Sequence, residues 1–476
     1  MNLNRYLFLF LFFPFMLPAQ PVLFEKIFGT SRNEQARSVK ELADGSVFVL
    51  GFSDSGMYGG IDASLSKLDR YGNLLWTKYY GDSADNFGLY LNKTADGNLV
   101  FCGERQSNFG AQVDAYAIKV DTSGNILWSK LYATALNESF KYVEQTADGG
   151  YIQCGFVSDN YGYNDTYVMR TNAQGDSVWA VNVGGTNNDY SDAVHELADG
   201  NFIVTGDTKS QGFGGYDVEL TKLDASGQQV WDFPYGDVYN NGCQGVFLNS
   251  SGKYISFGET VIYNNSPFDF YLEQIDTAGS SEWRRTFGGT NADAIFSIVE
   301  MQDKGYFFTG YSNSYSSGPL NLVAGRTDSA GGLQWVRVYG GPGIDIGYEI
   351  IHSVDGGVII AGSTVDSTDF TGQYYLLHLN DNGYLSGLGK YNNKEEGMIL
   401  YPNPNTGSFN IYCENAGPGA GVKLYTAEGK MLYHGPLIAK NNKISLEGII
   451  APGVYFAEVF DGKQYHHAKV VMTGGQ

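Results

Sequence analysis

"GNILWSK", residues 124–130, places Trp128 four residues after a turn glycine, and "GNLLWTK", residues 72–78, does the same for Trp76. The chain has six tryptophans, Trp76, Trp128, Trp179, Trp231, Trp283 and Trp335, spaced by 52, 51, 52, 52 and 52 residues. One step back from Trp76 falls on Phe24, and one step on from Trp335 falls on Gly387, flanked by Leu385 and Leu388. A period of this length marks a repeat architecture, in which each copy is one supersecondary unit that packs on its neighbour.

Other landmarks keep the beat. A turn recurs at Asp44, Asp96, Asp148, Asp199, Ser251, Asp303 and Asp355, mostly as DG. Seven residues after each stands a glycine: Gly51, Gly103, Gly155, Gly206, Gly258, Gly310 and Gly362. A second turn, DxxG or NxxG, runs from Asp69–Gly72 to Asn380–Gly383 in seven copies. Asp and Asn cap the turn backbone, and glycine takes the positive φ. Between the turns lie four strand-like runs, as in "NFGLYLNKT", "NLVFCGE", "DAYAIKV" and "NILWSKLY" between Asn86 and Tyr132.

Four strands of about six residues with their turns fill about fifty residues. The pattern predicts an all-β chain whose residues 22–388 form a seven-bladed β-propeller of four-stranded blades. A parallel β-helix has a shorter coil, and an open solenoid needs capping ends. Closure is expected instead: "FEKIFG" from Phe24 is a fourth-strand sequence without its three partners, and the seventh copy lacks that strand. The Phe24 strand should complete the last blade. Phe24 and the six tryptophans are read as scaffold, each Trp packed between adjacent sheets and contributing on the order of 3–5 kcal/mol against Ala.

This repeat resembles bacterial secreted proteins built from seven-bladed propeller repeats, in which the tryptophan-bearing strand is outermost. It departs from the tryptophan-docking motif of quinoprotein propellers in its Asp-to-Gly spacing and copy number, and from the sialidase Asp-box in its spacing to Trp.

After Leu388 the rhythm stops. "GKYNNKEEG" is a polar linker (389–397), and residues 398–476 alternate apolar and polar positions between EG, PG and DG turns, as in a small antiparallel sandwich. Tyr401, Pro402, Asn403 and Pro404, then Gly407 and Phe409, Leu424 and Tyr425, Gly429 and Lys430, Pro452 to Tyr455 including Gly453, and Lys469 with Val470 resemble, in order and spacing, the type A sorting domain of the type IX secretion system of Bacteroidetes. The resemblance implies the type IX machinery and its sortase-like peptidase as partners, removal of the domain, and release or attachment to surface lipopolysaccharide. The opposite end agrees: Arg5, an apolar run from Tyr6 to Leu17 and "LPAQ" read as a secretory signal (1–19) cleaved after Ala19, and the run is short for a membrane span. The expected location is secreted or on the outer-membrane surface.

Charge and chemistry narrow the function. The net charge is −21, and residues 20–394 hold 44 of the 51 acids against 23 of the 30 bases. Such a surface repels nucleic acid. The four cysteines read as small buried residues; Cys102 and Cys154 occupy equivalent places in successive copies. No HExxH, GxSxG, EF-hand loop or glycine-rich loop opening a helix occurs, and "GGPGIDIG" (340–347) lies between strands. His195, His352 and His378 are read as strand residues, and no cofactor is called for.

Ten residues after each aromatic mark, in the connection between blades, stand Glu34, Asn86, Glu138, Asp189, Asn241, Asp293 and Asp345. The connection between second and third strands, on the same face, carries Tyr58, Phe109, Tyr161, Phe213, Tyr263, Tyr315 and Phe370. Acceptors beside aromatic faces suit a glycan, and acids are also calcium donors. The competing reading is structural, with the polar residue capping the same turn seven times. The sequence therefore reads as an exported, non-catalytic propeller that binds a glycan or protein ligand or serves as a scaffold. The alternative is an extracellular polysaccharide-degrading enzyme with its site at the propeller mouth.

Overall fold

The computed structural model describes residues 23–385 and 398–472, apart from 31, 55, 57, 59, 108–111, 160, 262, 264–266, 316–318, 342, 369, 402–406, 414–418, 427–429, 447–450, 452 and 463–464. The proposed signal lies outside them. Two compact units divide the chain, one running to Leu385 and the other starting at Ser386.

The first unit is seven four-stranded antiparallel sheets. In the first blade the strands are Glu34–Glu41, Val47–Ser53, Asp62–Leu68 and Leu74–Tyr80, paired in that order, so the Trp76 strand is an edge strand. Inner strands of the later blades are Asp85–Lys93, Glu138–Gln145, Asp189–Glu196, Asn241–Leu248, Asp293–Glu300 and Ile344–His352. Each packs against the sheet before it, and Glu34–Glu41 packs on the three strands of the last copy, so the ring closes. The seventh sheet takes its fourth strand from Phe24–Phe28, antiparallel to Gly372–Leu379 with Phe24 opposite His378 and Phe28 opposite Tyr374. The strand expected to complete the last blade does so.

Local chemistry explains the turns. All seven glycines of the second turn, from Gly72 to Gly383, have φ between 73° and 86°. Asp121 Oδ1 accepts from the N–H groups of Ser123 (2.8 Å) and Asn125 (2.9 Å), the Asx cap that makes this turn. Each turn also receives the preceding blade: a Cβ on Gly124 would lie 2.9 Å from the Trp76 ring, and one on Gly175 3.1 Å from Trp128. The tyrosine four residues after the tryptophan completes the joint, with Tyr80 Oη donating to the Gly124 carbonyl at 2.8 Å and Tyr132 Oη to that of Gly175 at 2.8 Å. Trp128 meets Tyr151 edge-on at 5.4 Å and Trp179 meets Phe202 at 5.8 Å, both across a blade boundary. The tryptophans do pack between sheets, but they are half-buried because their strand is the outermost. That lowers the contribution of each to about 2 kcal/mol.

The inner strands share one irregularity that the period does not reveal. Each carries a β-bulge one residue long, between Ala36 and Ser38 in the first blade and Gly347 and Glu349 in the last. The glycine seven residues after the first turn faces it. A Cβ on Gly51, Gly103, Gly155, Gly206, Gly258, Gly310 or Gly362 would fall 1.7–2.1 Å from a carbonyl oxygen of the bulged strand. These glycines are present because the bulge brings backbone against backbone.

The second unit pairs a three-stranded sheet (Met398–Tyr401, Ser408–Cys413, Asn441–Ser445) with a four-stranded one (Gly421–Thr426, Met431–Pro436, Gly453–Phe460, Tyr465–Met472). Leu400, Phe409, Ile411, Val422, Leu424, Tyr455, Ala457 and Val470 form their common core. All four cysteines are buried free thiols.

Candidate functional site

The polar residues of the inter-blade connections are the first or second residues of the inner strands, and all seven are buried. Their heads are turned inward. The carboxylate accepts from the backbone N–H four residues earlier: Thr30 N to Glu34 Oε2 at 2.6 Å, and Gly185, Gly289 and Gly341 N to Asp189, Asp293 and Asp345 Oδ2 at 2.9 Å. A hydroxyl from the end of the second strand donates to the other carboxylate oxygen in three blades, Ser53 to Glu34, Thr208 to Asp189 and Ser312 to Asp293, and to the amide oxygen of Asn241 from Thr260 in a fourth. Glu138 accepts from Thr134 Oγ1, again four residues back. Asn86 and Asn241 invert the polarity, donating to the carbonyls of Ala84 (2.8 Å) and Tyr239 (3.1 Å). These are the bonds of turn caps, as the structural reading of the pattern expects, and all seven side chains are buried; Glu138 Oε2 and Asp345 Oδ1 are buried without a hydrogen-bond partner among the described residues. Among the described residues no three His, Cys, Asp or Glu are gathered as metal ligands.

Of the loop aromatics, Tyr58, Tyr161, Phe213, Tyr263, Tyr315 and Phe370 are exposed, with Tyr161 the most open at 88% and Tyr315 the least at 40%. Tyr315 is partly used, stacked on Phe270. Phe109 lies outside the described residues.

What sequence reasoning missed is the channel inside the ring. A cavity of about 660 Å³ is lined by the seven bulge residues, Arg37, Leu89, Lys141, Asp192, Gln244, Phe296 and Tyr348. No two are alike. Caps, turns and glycines repeat around the fold, yet the position that the bulge thrusts into the channel differs in every blade. One wall is acidic: Asp192 takes Lys141 Nζ at 2.9 Å, and behind it stand Asp207 and Glu259. Burial, reinforced by Asp192, pushes the Asp207 carboxyl well up and Glu259 up to about 7. Elsewhere the wall is aromatic, with Tyr90 stacked on Tyr142 at 4.3 Å and Phe296 on Tyr348 at 5.6 Å. His195 also lines it, its Nδ1 2.7 Å from Glu144 Oε2; burial favours its neutral form, but Glu144 outweighs this and raises its pKa. The signal for this site was available as a variable column within a uniform repeat.

In the second unit Phe409 and Tyr455 are core residues, Tyr455 Oη donating to the Ala451 carbonyl at 2.6 Å. Gly407, with φ of 103°, accepts from Leu446 N–H at 2.6 Å. Gly453 opens a strand and Lys430 is exposed. Tyr401 and Lys469 lie on strands, while Pro402, Asn403, Pro404 and Gly429 are outside the described residues.

Residues 399–473 match the family described as the secretion system C-terminal sorting domain. With the ring of sheets, this defines a β-propeller protein sorted by the type IX system, the export route of Bacteroidetes, and destined for secretion or the cell surface. A stretch of 164 residues is 26% identical to regulatory protein FlaEY of Caulobacter vibrioides, covering 29% of this chain and 17% of that protein, so the chain spans under a fifth of the length of that relative. Among solved structures, PorZ, a surface component of the type IX secretion system of Porphyromonas gingivalis, aligns over 92% of this chain and 81% of its own at 10% identity with a TM-score of 0.29. The β-propeller domain of the Trilobed protease of Pyrococcus furiosus aligns over 73% and 94% at 8% identity with a TM-score of 0.42. The fold rests on the strand order and ring closure rather than on these likenesses.

Proposed function

We propose that this protein is a non-catalytic binding propeller that takes its ligand, a glycan or a peptide segment of a partner, in the central channel. In this reading the signal is cleaved after Ala19, the type IX machinery carries the chain across the outer membrane, and a sortase-like peptidase removes the sorting domain. The propeller is then released or attached to lipopolysaccharide. The observation that supports binding is the non-identity of the seven bulge residues. A purely architectural ring has no use for seven different side chains at one position, whereas a cavity within the 300–1,000 Å³ range typical of ligand sites needs a few differing polar and aromatic groups. The exposed loop aromatics offer a first contact for the same ligand.

The enzymatic alternative draws on Asp207 and Glu259, two carboxyls with raised pKa beside Asp192, since a protonated acid near a charged one is what glycoside hydrolysis uses. One experiment addresses both. The full chain and Leu89→Trp, which fills the channel, are applied to a glycan array and used to capture partners from the surface fraction of the producing cell. A ligand held by the wild type and weakened at least about tenfold by Leu89→Trp is expected, with no new reducing ends. Capture that Leu89→Trp leaves intact contradicts the channel reading, and released reducing ends favour the enzyme.

A further inference from the structure

Among the charged side chains of the channel, Arg37 stands apart. Lys40 is paired with Glu349, Lys141 with Asp192 and His195 with Glu144, but no carboxylate among the described residues lies within ion-pair distance of Arg37. Its guanidinium carbon is 4.3 Å from the ring centroid of Tyr348 and 5.5 Å from that of Phe52, and its Nε is buried without a hydrogen-bond partner. In a chain of net charge −21, a cation at the centre of the fold is held by aromatic faces alone.

An arginine fork presents planar N–H donors matched to the two oxygens of a carboxylate, and stacking leaves that edge open. Behind the fork, Phe296 stacks on Tyr348 at 5.6 Å and 16°, so Arg37, Tyr348 and Phe296 form one packed stretch of the channel wall. Beyond it the wall turns polar, with Gln244 and Asp192 lining the cavity. Gln244 is itself held from behind, its Nε2 3.5 Å from Glu259 Oε2. An unpaired fork with Gln244 and Asp192 around the same cavity describes a ligand with one carboxylate and several hydroxyls.

We infer that the channel takes an acidic sugar, its carboxylate held by the Arg37 guanidinium and its hydroxyls by Gln244 and Asp192. This rests on the channel being the binding site. A neutral sugar leaves Arg37 unpaired, and an amino sugar sets a second cation against it.

The test is calorimetric titration of the full chain with three trimers: galacturonic acid, its methyl ester and glucosamine. The acid should bind at least about tenfold more tightly than its ester. Arg37→Gln should weaken the acid about 10- to 100-fold and leave the ester unchanged, with Arg37→Lys intermediate because it keeps the charge and loses the fork. Retained ester binding in Arg37→Gln shows that the channel is still formed. If the acid trimer does not bind, or the ester or amine trimer binds more tightly and is lost only in Leu89→Trp, the acidic-sugar assignment is overturned and the channel reading stands. If Leu89→Trp binds every trimer as the wild type does, both fall.

Discussion

Gly155→Ala is expected to destabilise the propeller by about 3 kcal/mol, although it adds a single methyl group. The Cβ would lie 2.0 Å from the Ser139 carbonyl oxygen and 2.8 Å from its carbon, and both belong to the bulged inner strand rather than to a side chain able to swing away. Relief requires the bulge to flatten, which withdraws Lys141 from the channel and breaks the register on either side. The control is Gly97→Ala at a hairpin turn, where φ is +79° and nothing lies within 4 Å, so only the backbone conformation is penalised, by about 1 kcal/mol. Chemical denaturation of both variants checks the pair; equal losses would mean that the seven glycines serve turn geometry and not the bulge.

The second large effect is expected at the closure of the ring. Glu349, on the inner strand of the last blade, accepts from Ser38 Oγ at 2.6 Å and Val39 N at 2.5 Å and forms a buried ion pair with Lys40, all three on the inner strand of the first blade. Lys40 also lies over the Tyr90 ring at 4.6 Å. Glu349→Gln leaves the Lys40 ammonium buried without a counter-charge and should cost about 3–5 kcal/mol, whereas the double variant Lys40→Met, Glu349→Leu should lie closer to the wild type. The pH dependence has a definite sign. Burial lowers the Lys40 pKa against the opposing pull of Glu349, so the folded state holds this proton less tightly than the unfolded chain, and stability rises with pH through that window. Without Glu349 the lowering deepens, and the deficit of Glu349→Gln relative to the wild type should shrink between pH 7 and pH 9.5. A deficit that grows with pH would contradict the assignment of the charge to Lys40.

Repetition made most of the fold legible. Trp76 to Trp335 and the DG and DxxG turns occur at fixed spacing because every copy solves the same packing problem, and the unpartnered Phe24 strand revealed how the ring is closed. The bulge could not be read, because an extra residue present in all seven inner strands leaves the period unchanged. Gly155 and its equivalents were visible as landmarks, but their reason lies in a carbonyl on another strand. The burial of Glu34, Asp189 and their equivalents was hidden for a related reason. A polar residue at the start of a strand reads the same whether it faces solvent or the loop behind it, and only the N–H four residues earlier decides. The channel residues Arg37, Leu89, Lys141, Asp192, Gln244, Phe296 and Tyr348 escaped notice because attention to repetition passes over the position that fails to repeat.

The central claim, that a closed propeller is carried to the surface by a separately folded sorting unit, is tested most directly by fractionating cells that produce either the full chain or a chain ending at residue 397. The sorting unit has its own core of Leu400, Phe409, Val422 and Tyr455, and the propeller closes on itself within Phe24–Leu379, so the shortened chain should fold. The full chain is expected in the medium or on the cell surface, accessible to added protease, and the shortened chain folded in the periplasm and protected. Equal surface exposure of the two chains would contradict the account.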